Sequence, residues 1–184
     1  MNEVVERPAP SIPRVGEFYK VSFNQFYEAI RSAPYDLAAV DRETIQDLYD
    51  HIGLPERATG GSAGFDFKAP FGFILQPGES IKLPTGIRVK IEPGWWLGCL
   101  PRSGLGFKYR CQLDNTMGVI DSDYFTADNE GHIFAKITND SKNSISFSVL
   151  QGEKFMQGIF IPYGITYSDN AESIRTGGFG STGK

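Results

Sequence analysis

Residues 79–100 read ESIKLPTGIRVKIEPGWWLGCL, and their alternation decides the fold. Ile81 and Leu83 flank Lys82, while Ile87, Val89 and Ile91 alternate with Arg88 and Lys90. A period of two puts every second side chain on one face, which is the pattern of a half-buried strand. Pro84, Gly86, Pro93 and Gly94 punctuate the run. The same texture extends outward, with strands expected over 64–69, 79–85, 87–91, 95–100, 133–138, 144–150 and 155–161. Many short strands between turn signals predict an all-β sandwich or barrel, and a jelly roll first among them.

Upstream of about residue 54 the pattern is helical. Over 22–33, Ser22 and Gln25 have capping-box spacing, and Phe23, Phe26, Tyr27 and Ile30 share a face. Over 41–52, Asp41 is the expected cap, Ile45, Leu48, Tyr49 and Ile52 form the stripe, and Gly53 is the expected stop. Neither helix buries its stripe alone, so a helical hairpin packed on something else is expected. Residues 1–16, with Pro8, Pro10 and Pro13, read as loose, and the glycine-rich end RTGGFGSTGK reads by itself as a frayed tail. The expected organisation is a helical extension, 1–53, and a β domain, 54–184, ending in a glycine-rich arm, 175–184.

The chain has 184 residues, 40% of them hydrophobic, a net charge of -4 and a pI near 5.2. That supports one domain with a real core and excludes a broad nucleic-acid footprint. Cys99 and Cys111 stand without a CxxC or a Cys/His cluster and read as buried thiols. No run approaches the about 18 apolar residues of a membrane span, and no apolar leader opens the chain. A soluble, cytoplasmic protein without membrane or nucleic-acid partners is expected.

The chemistry concentrates in residues 101–124, PRSGLGFKYRCQLDNTMGVIDSDY. A basic-polar loop, Arg102, Ser103 and Gly104, precedes an apolar run that ends in Asp121, Ser122, Asp123 and Tyr124. Cationic and backbone donors near an acid suit a phosphate chain held while water is activated beside it. As a strand, 118–124 would put Asp121 and Asp123 on one face, so either a turn separates them or one has a cationic partner. Three further segments belong with these two: Asp66 in AGFD, Lys154 and Gln157 in GEKFMQ, and Phe179 in the tail. Singly, each has an ordinary explanation as a turn or a surface residue.

In order and spacing, the five segments resemble the five motifs of the trimeric dUTPase family. The match runs from LPERATGGSAGFDF through PRSGLGFKY, DNTMGVIDSDY and GEKFMQ to RTGGFGSTG, and so covers 54–184. The resemblance implies a dUTPase-like jelly-roll (β-clip) core in a homotrimer with shared active sites. It implies hydrolysis of dUTP to dUMP and pyrophosphate, with Mg2+ as cofactor. Asp121 would deprotonate the water that attacks the α-phosphorus. Arg102, Ser103, Gly104 and Gln157 would hold the phosphates. Asn115, Val119, Ile120 and, on the return arm, Phe134 would frame uracil, and Tyr124 would pack under deoxyribose and exclude a 2′-hydroxyl. In the arm, Arg175 would meet the γ-phosphate, Phe179 would stack on uracil, and Gly180 and Ser181 would wrap the phosphates. Mg2+ would take no direct protein ligand, with Asp66 helping through water.

The chain departs from the family at two places. Residues 125–130 lengthen the hairpin before Gly131, and Lys154 and Met156 stand where Arg and Ala are usual. A dCTP deaminase or a bifunctional relative is the nearest alternative, but Lys136 and Phe107 occupy the places where that chemistry needs a glutamate and an arginine. A regulatory protein-binding role for 1–53 competes with a plainer one, in which the helices cover a sheet edge.

Overall fold

The computed structural model describes residues 11–32 and 40–172. The alternating stretch forms β5 (Ser80–Pro84), β6 (Ile87–Ile91) and β7 (Trp95–Pro101). In β6, Ile87, Val89 and Ile91 are buried while Lys90 is exposed, as the period of two requires. The other strands are β1 (Gly16–Lys20), β2 (Glu56–Arg57), β3 (Phe65–Lys68), β4 (Phe73–Leu75), β8 (Cys111–Leu113), β9 (Gly118–Ile120), β10 (Phe134–Asn139), β11 (Phe147–Val149) and β12 (Lys154–Pro162). All paired strands are antiparallel. They form a five-stranded sheet in the order β2-β3-β12-β7-β9, a three-stranded sheet β5-β10-β8, and the pairs β1-β6 and β4-β11. The architecture is all-β and jelly-roll-like, with a small helical part.

That helical part is α1 (Phe23–Arg31), α2 (Arg42–Asp50) and α3 (Ser103–Tyr109). Ser22 caps α1 by accepting from the Gln25 amide at 3.2 Å. The return half of the expected box is made by a distant residue, because the Ser22 amide donates to Glu130 Oε2 at 2.7 Å. Asp41 caps α2, accepting from the Thr44 amide at 2.8 Å. Gly53 is not the stop. His51 closes α2, with its N–H returning to Asp47 and Tyr49.

Among the segments that differ from the sequence expectation are β1 and α3. Residue 16 is not the end of a loose stretch; it begins β1, which runs antiparallel to β6 from Gly16↔Ile91 to Lys20↔Ile87. A five-residue strand carries little pattern of its own, and the open edge of β6 supplies its hydrogen bonds. The loop expected at 103–104 is the first turn of α3, which ends at Arg110 in the left-handed region, φ 51°.

Among the described residues, one core joins the helices α1 and α2 to the strands. Phe26, Ile30, Ile45 and Ile52 belong to the same buried cluster as Phe67, Leu83, Ile87, Val89 and Leu97. Ile52 fills the space that a Cβ on Gly86 would take, and Gly86 has φ +71°. Each such large apolar side chain contributes about 1.5–3 kcal/mol when removed from water. Cys99 and Cys111 are free and buried, and burial pushes their thiols up to about 12 and about 11. Among the described residues, no helix is long and apolar enough to cross a membrane.

Candidate active site

The site residues fall into two groups, set by the central strand β12 and its neighbours. β12 lies between β3 and β7, so Gln157 is opposite Asp66 on one side and Leu100 on the other. A register shift between Lys154 and Met156 brings Lys154 round to Asp66. The Asp66 side chain is only 7% exposed. Its Oδ2 accepts from Lys154 Nζ at 2.9 Å, and its Oδ1 lies 3.4 Å from Arg102 Nε. A buried carboxylate needs such partners, and here two cations share it. Gln157 Nε2 donates to the Pro101 carbonyl at 3.3 Å. Gly64 lets the Gln157 side chain pack close, since a Cβ there would lie 2.6 Å from Oε1. Ser103 and Gly104 are exposed in the first turn of α3, whose N-terminus has no side-chain cap. Asp66, Arg102, Lys154 and Gln157 thus form one polar cluster with anion-binding chemistry.

The second group surrounds a pocket of about 340 Å³ between β7, β8, β9 and β10. Asn115, Ile120 and Phe134 line it, together with Cys99, Gly118, Ile133 and Met156. The sequence reading missed the last four, because their facing follows from strand order rather than from local pattern. Lys82, Lys136 and Asp114 add charged groups to the lining. Burial pushes the Asp114 carboxyl up, but the Lys136 ammonium at 2.6 Å and the Thr138 hydroxyl outweigh it and hold the group below its ordinary value. Val119 belongs to the same strand but is 49% exposed, on the face away from Ile120.

Asp121 follows β9 with extended backbone, φ -78° and ψ 158°. The strand ends at Ile120, and Ser122–Thr126 is a 3-10 turn, so Asp121 and Asp123 do not share a strand face. Tyr124 lies in that turn with a relative exposure of 2%. Its hydroxyl donates to the His132 carbonyl at 2.8 Å and accepts from Asn129 Nδ2 at 2.8 Å. Arg175, Phe179, Gly180 and Ser181 lie outside the described residues.

Strand register separates Asp121 from Arg102. Ile120 is opposite Leu97 and Gly118 is opposite Cys99, so continuing the ladder puts Asp121 beside Trp96. Arg102 lies just past the other end of β7. At about 3.3 Å per residue, the backbones of Asp121 and Arg102 are roughly 20 Å apart. No pair of side chains of these types closes that gap within one chain.

The dUTPase family model matches residues 50–183. The chain belongs to the dUTPase family. The deoxyuridine 5'-triphosphate nucleotidohydrolase of Lactococcus lactis subsp. lactis (strain IL1403) is 38% identical over 135 residues, covering 72% of this chain and 89% of the relative. That of Psychromonas ingrahamii is 40% identical over 139 residues, covering 71% and 87%. The crystal structure of dUTPase from Streptococcus mutans superposes with a TM-score of 0.55 at 34% identity, over 61% of this chain and 88% of that one. The dUTPase from phage phi11 of S. aureus shares the fold, with a TM-score of 0.54 at 21% identity over 66% and 90%. Hydrolysis of dUTP is the activity of the dUTPase family, and the chain is a dUTP diphosphatase. The chain thus holds a polar cluster around Asp66 and a mostly apolar pocket between β7, β8, β9 and β10.

Proposed function

We propose that water attacks the α-phosphorus of dUTP and releases dUMP and pyrophosphate, at sites that two copies of the chain build together in a cytoplasmic homotrimer. The observation that carries this reading is the separation of Asp121 from Arg102 along β7. One substrate needs both a base and a phosphate clamp, so the clamp comes from another copy. A closed ring of three such contacts leaves every site complete.

Asp121 acts as the general base. It takes a proton from the attacking water, and such help is typically worth about 10²–10⁴ in rate. Arg102 and Gln157 take the charge that develops on the phosphate oxygens, with the Ser103 hydroxyl and the Gly104 amide. Asp66 pairs with both Arg102 and Lys154 and so holds the two cations in place before substrate arrives. Lysine at 154 provides a point charge without the guanidinium fork. Uracil enters the pocket between Asn115, Ile120 and Phe134, with main-chain groups around Val119 completing its hydrogen bonds. Tyr124 closes the sugar side against a 2′-hydroxyl. In the arm, Arg175 meets the γ-phosphate, Phe179 stacks on the base, and Gly180 and Ser181 wrap the phosphate chain.

Among the described residues, no three His, Cys, Asp or Glu side chains gather as a metal cage. Both Asp66 oxygens already face cations. These features fit Mg2+ held by phosphate oxygens and water, with Asp66 reaching it through water. Bound there, the ion would neutralise phosphate charge and orient the chain for in-line attack. The test is pyrophosphate release from dUTP, dTTP, dCTP and UTP, with and without Mg2+. Release from dUTP alone, dependent on Mg2+, is expected. Ammonia release from dCTP would instead support the deaminase alternative.

A further inference from the structure

The lengthened hairpin, residues 125–130, reaches toward the N-terminal helices. At its end, Glu130 accepts two hydrogen bonds from one residue of that extension. Ser22 N donates to Oε2 at 2.7 Å, and Ser22 Oγ donates to Oε1 at 2.6 Å. Ser22 is the N-cap of the nine-residue α1, so the carboxylate also sits at the positive end of a helix. Nearby, Arg88 Nη2 donates to the Phe125 carbonyl at 2.6 Å, and its guanidinium lies 3.7 Å from the Phe125 ring centroid. Arg88 Nη1 is 3.9 Å from Glu130 Oε2, and Tyr19 of β1 packs on Phe125 with centroids 5.8 Å apart.

The same loop holds Tyr124. Asn129 donates to its hydroxyl, and that hydroxyl donates to the His132 carbonyl. Gly131 has φ +69°, and a Cβ there would lie 2.6 Å from the Tyr124 carbonyl oxygen, so the loop closes tightly on the tyrosine. The Tyr124 amide in turn donates to the Asp121 carbonyl at 3.2 Å. An unbroken path of bonds and short backbone therefore runs from α1 through Glu130 and Tyr124 to Asp121.

We propose that Glu130 is a positioning residue, latching α1 to the inserted loop and so setting the seat of Tyr124 and Asp121 for the deoxyribose end of the substrate. This rests on the roles given to Tyr124 and Asp121 above. The extension and the insertion are then two halves of one device, and the extra hairpin residues serve the N-terminal helices rather than the base. The latch acts on sugar discrimination because it fixes Tyr124, and on rate because it fixes Asp121.

The test compares full-length wild type, Glu130→Ala, Glu130→Gln and Ser22→Ala. Its readouts are kcat and KM for dUTP and for UTP, the melting temperature, and amide hydrogen exchange over residues 122–131. Glutamine keeps the latch, since its oxygen accepts from Ser22 N and its amide donates to Ser22 Oγ. Misplacing catalytic groups by fractions of an ångström is costly, so Glu130→Ala is expected to cut kcat/KM for dUTP about tenfold and to narrow the preference for dUTP over UTP. Glu130→Gln should stay within about twofold of wild type, and Ser22→Ala should follow Glu130→Ala in direction. Exchange over 122–131 should quicken in Glu130→Ala and not in Glu130→Gln. Wild-type KM and an unchanged dUTP/UTP ratio in Glu130→Ala and Ser22→Ala overturn the proposal, even if kcat falls with the folded fraction. A wild type inactive on dUTP sinks the site roles, and with them the positioning claim. Unchanged exchange in Glu130→Ala sinks the latch itself, whatever the kinetics.

Discussion

At the residue scale, the molecule turns on a few polar groups. Asp121 is the first to test. Asp121→Asn keeps shape and volume but cannot accept a proton from water, so turnover of dUTP should fall by about 10²–10⁴ while binding persists. Single-turnover pyrophosphate release with a parallel titration of a non-hydrolysable dUTP analogue checks this, and near-normal turnover removes Asp121 as the base. His132 makes a second case. It is fully buried, its Nε2 accepts from the Gly86 amide at 2.9 Å, and burial together with Lys82 pushes its imidazole down to about 3. The fold therefore holds it neutral, while the unfolded chain protonates it below its ordinary 6.5. Its contribution to stability is complete above that value and is lost as pH falls toward about 3, with a limiting slope of about 1.4 kcal/mol per pH unit. Urea denaturation across that range should show the slope, and His132→Gln should flatten it. Composition did not reveal this histidine, because a lone His has no pattern; only burial beside Gly86 assigns its state.

At the scale of elements, local signals and tertiary demands part company. The caps Ser22 and Asp41 were legible because each needs only its own neighbours, Gln25 and Thr44. The alternation of β6 was legible because a half-buried strand writes its period into five consecutive residues. β1 and α3 were not, for complementary reasons. β1 borrows its hydrogen bonds from the edge of β6, and α3 contains two glycines that oppose a helix in isolation. These contacts bear on residues 1–53. Deleting them bares the β6 edge and strips Phe26, Ile30 and Ile45 from the core, so the remaining chain should aggregate and melt well below the full protein. Light scattering and thermal melts check this. A monodisperse fragment with an unchanged melting temperature would return the extension to the role of a partner surface.

At the scale of the whole molecule, the decisive quantity is the distance from Asp121 to the Arg102 cluster, and it predicts complementation. Asp121→Asn and Arg102→Ala proteins should each be inactive, yet trimers refolded from an equal mixture should recover about a quarter of wild-type activity, because some sites pair an intact Asp121 with an intact Arg102. Recovery near zero would mean that base and clamp belong to one chain. The sequence by itself determined the β class, the helical pair and the five segments with their family, since periodicity, caps and motif order are all properties of neighbours along the chain. Only the tertiary structure decided that β12 joins Asp66 to Arg102 and Lys154, that Ile120 faces a pocket while Val119 does not, and that Glu130 bonds to the N-cap residue of a helix more than a hundred residues away in sequence. Those facts depend on strand order and register, which arise when distant apolar faces bury one another, and no local pattern encodes which strand will be the neighbour.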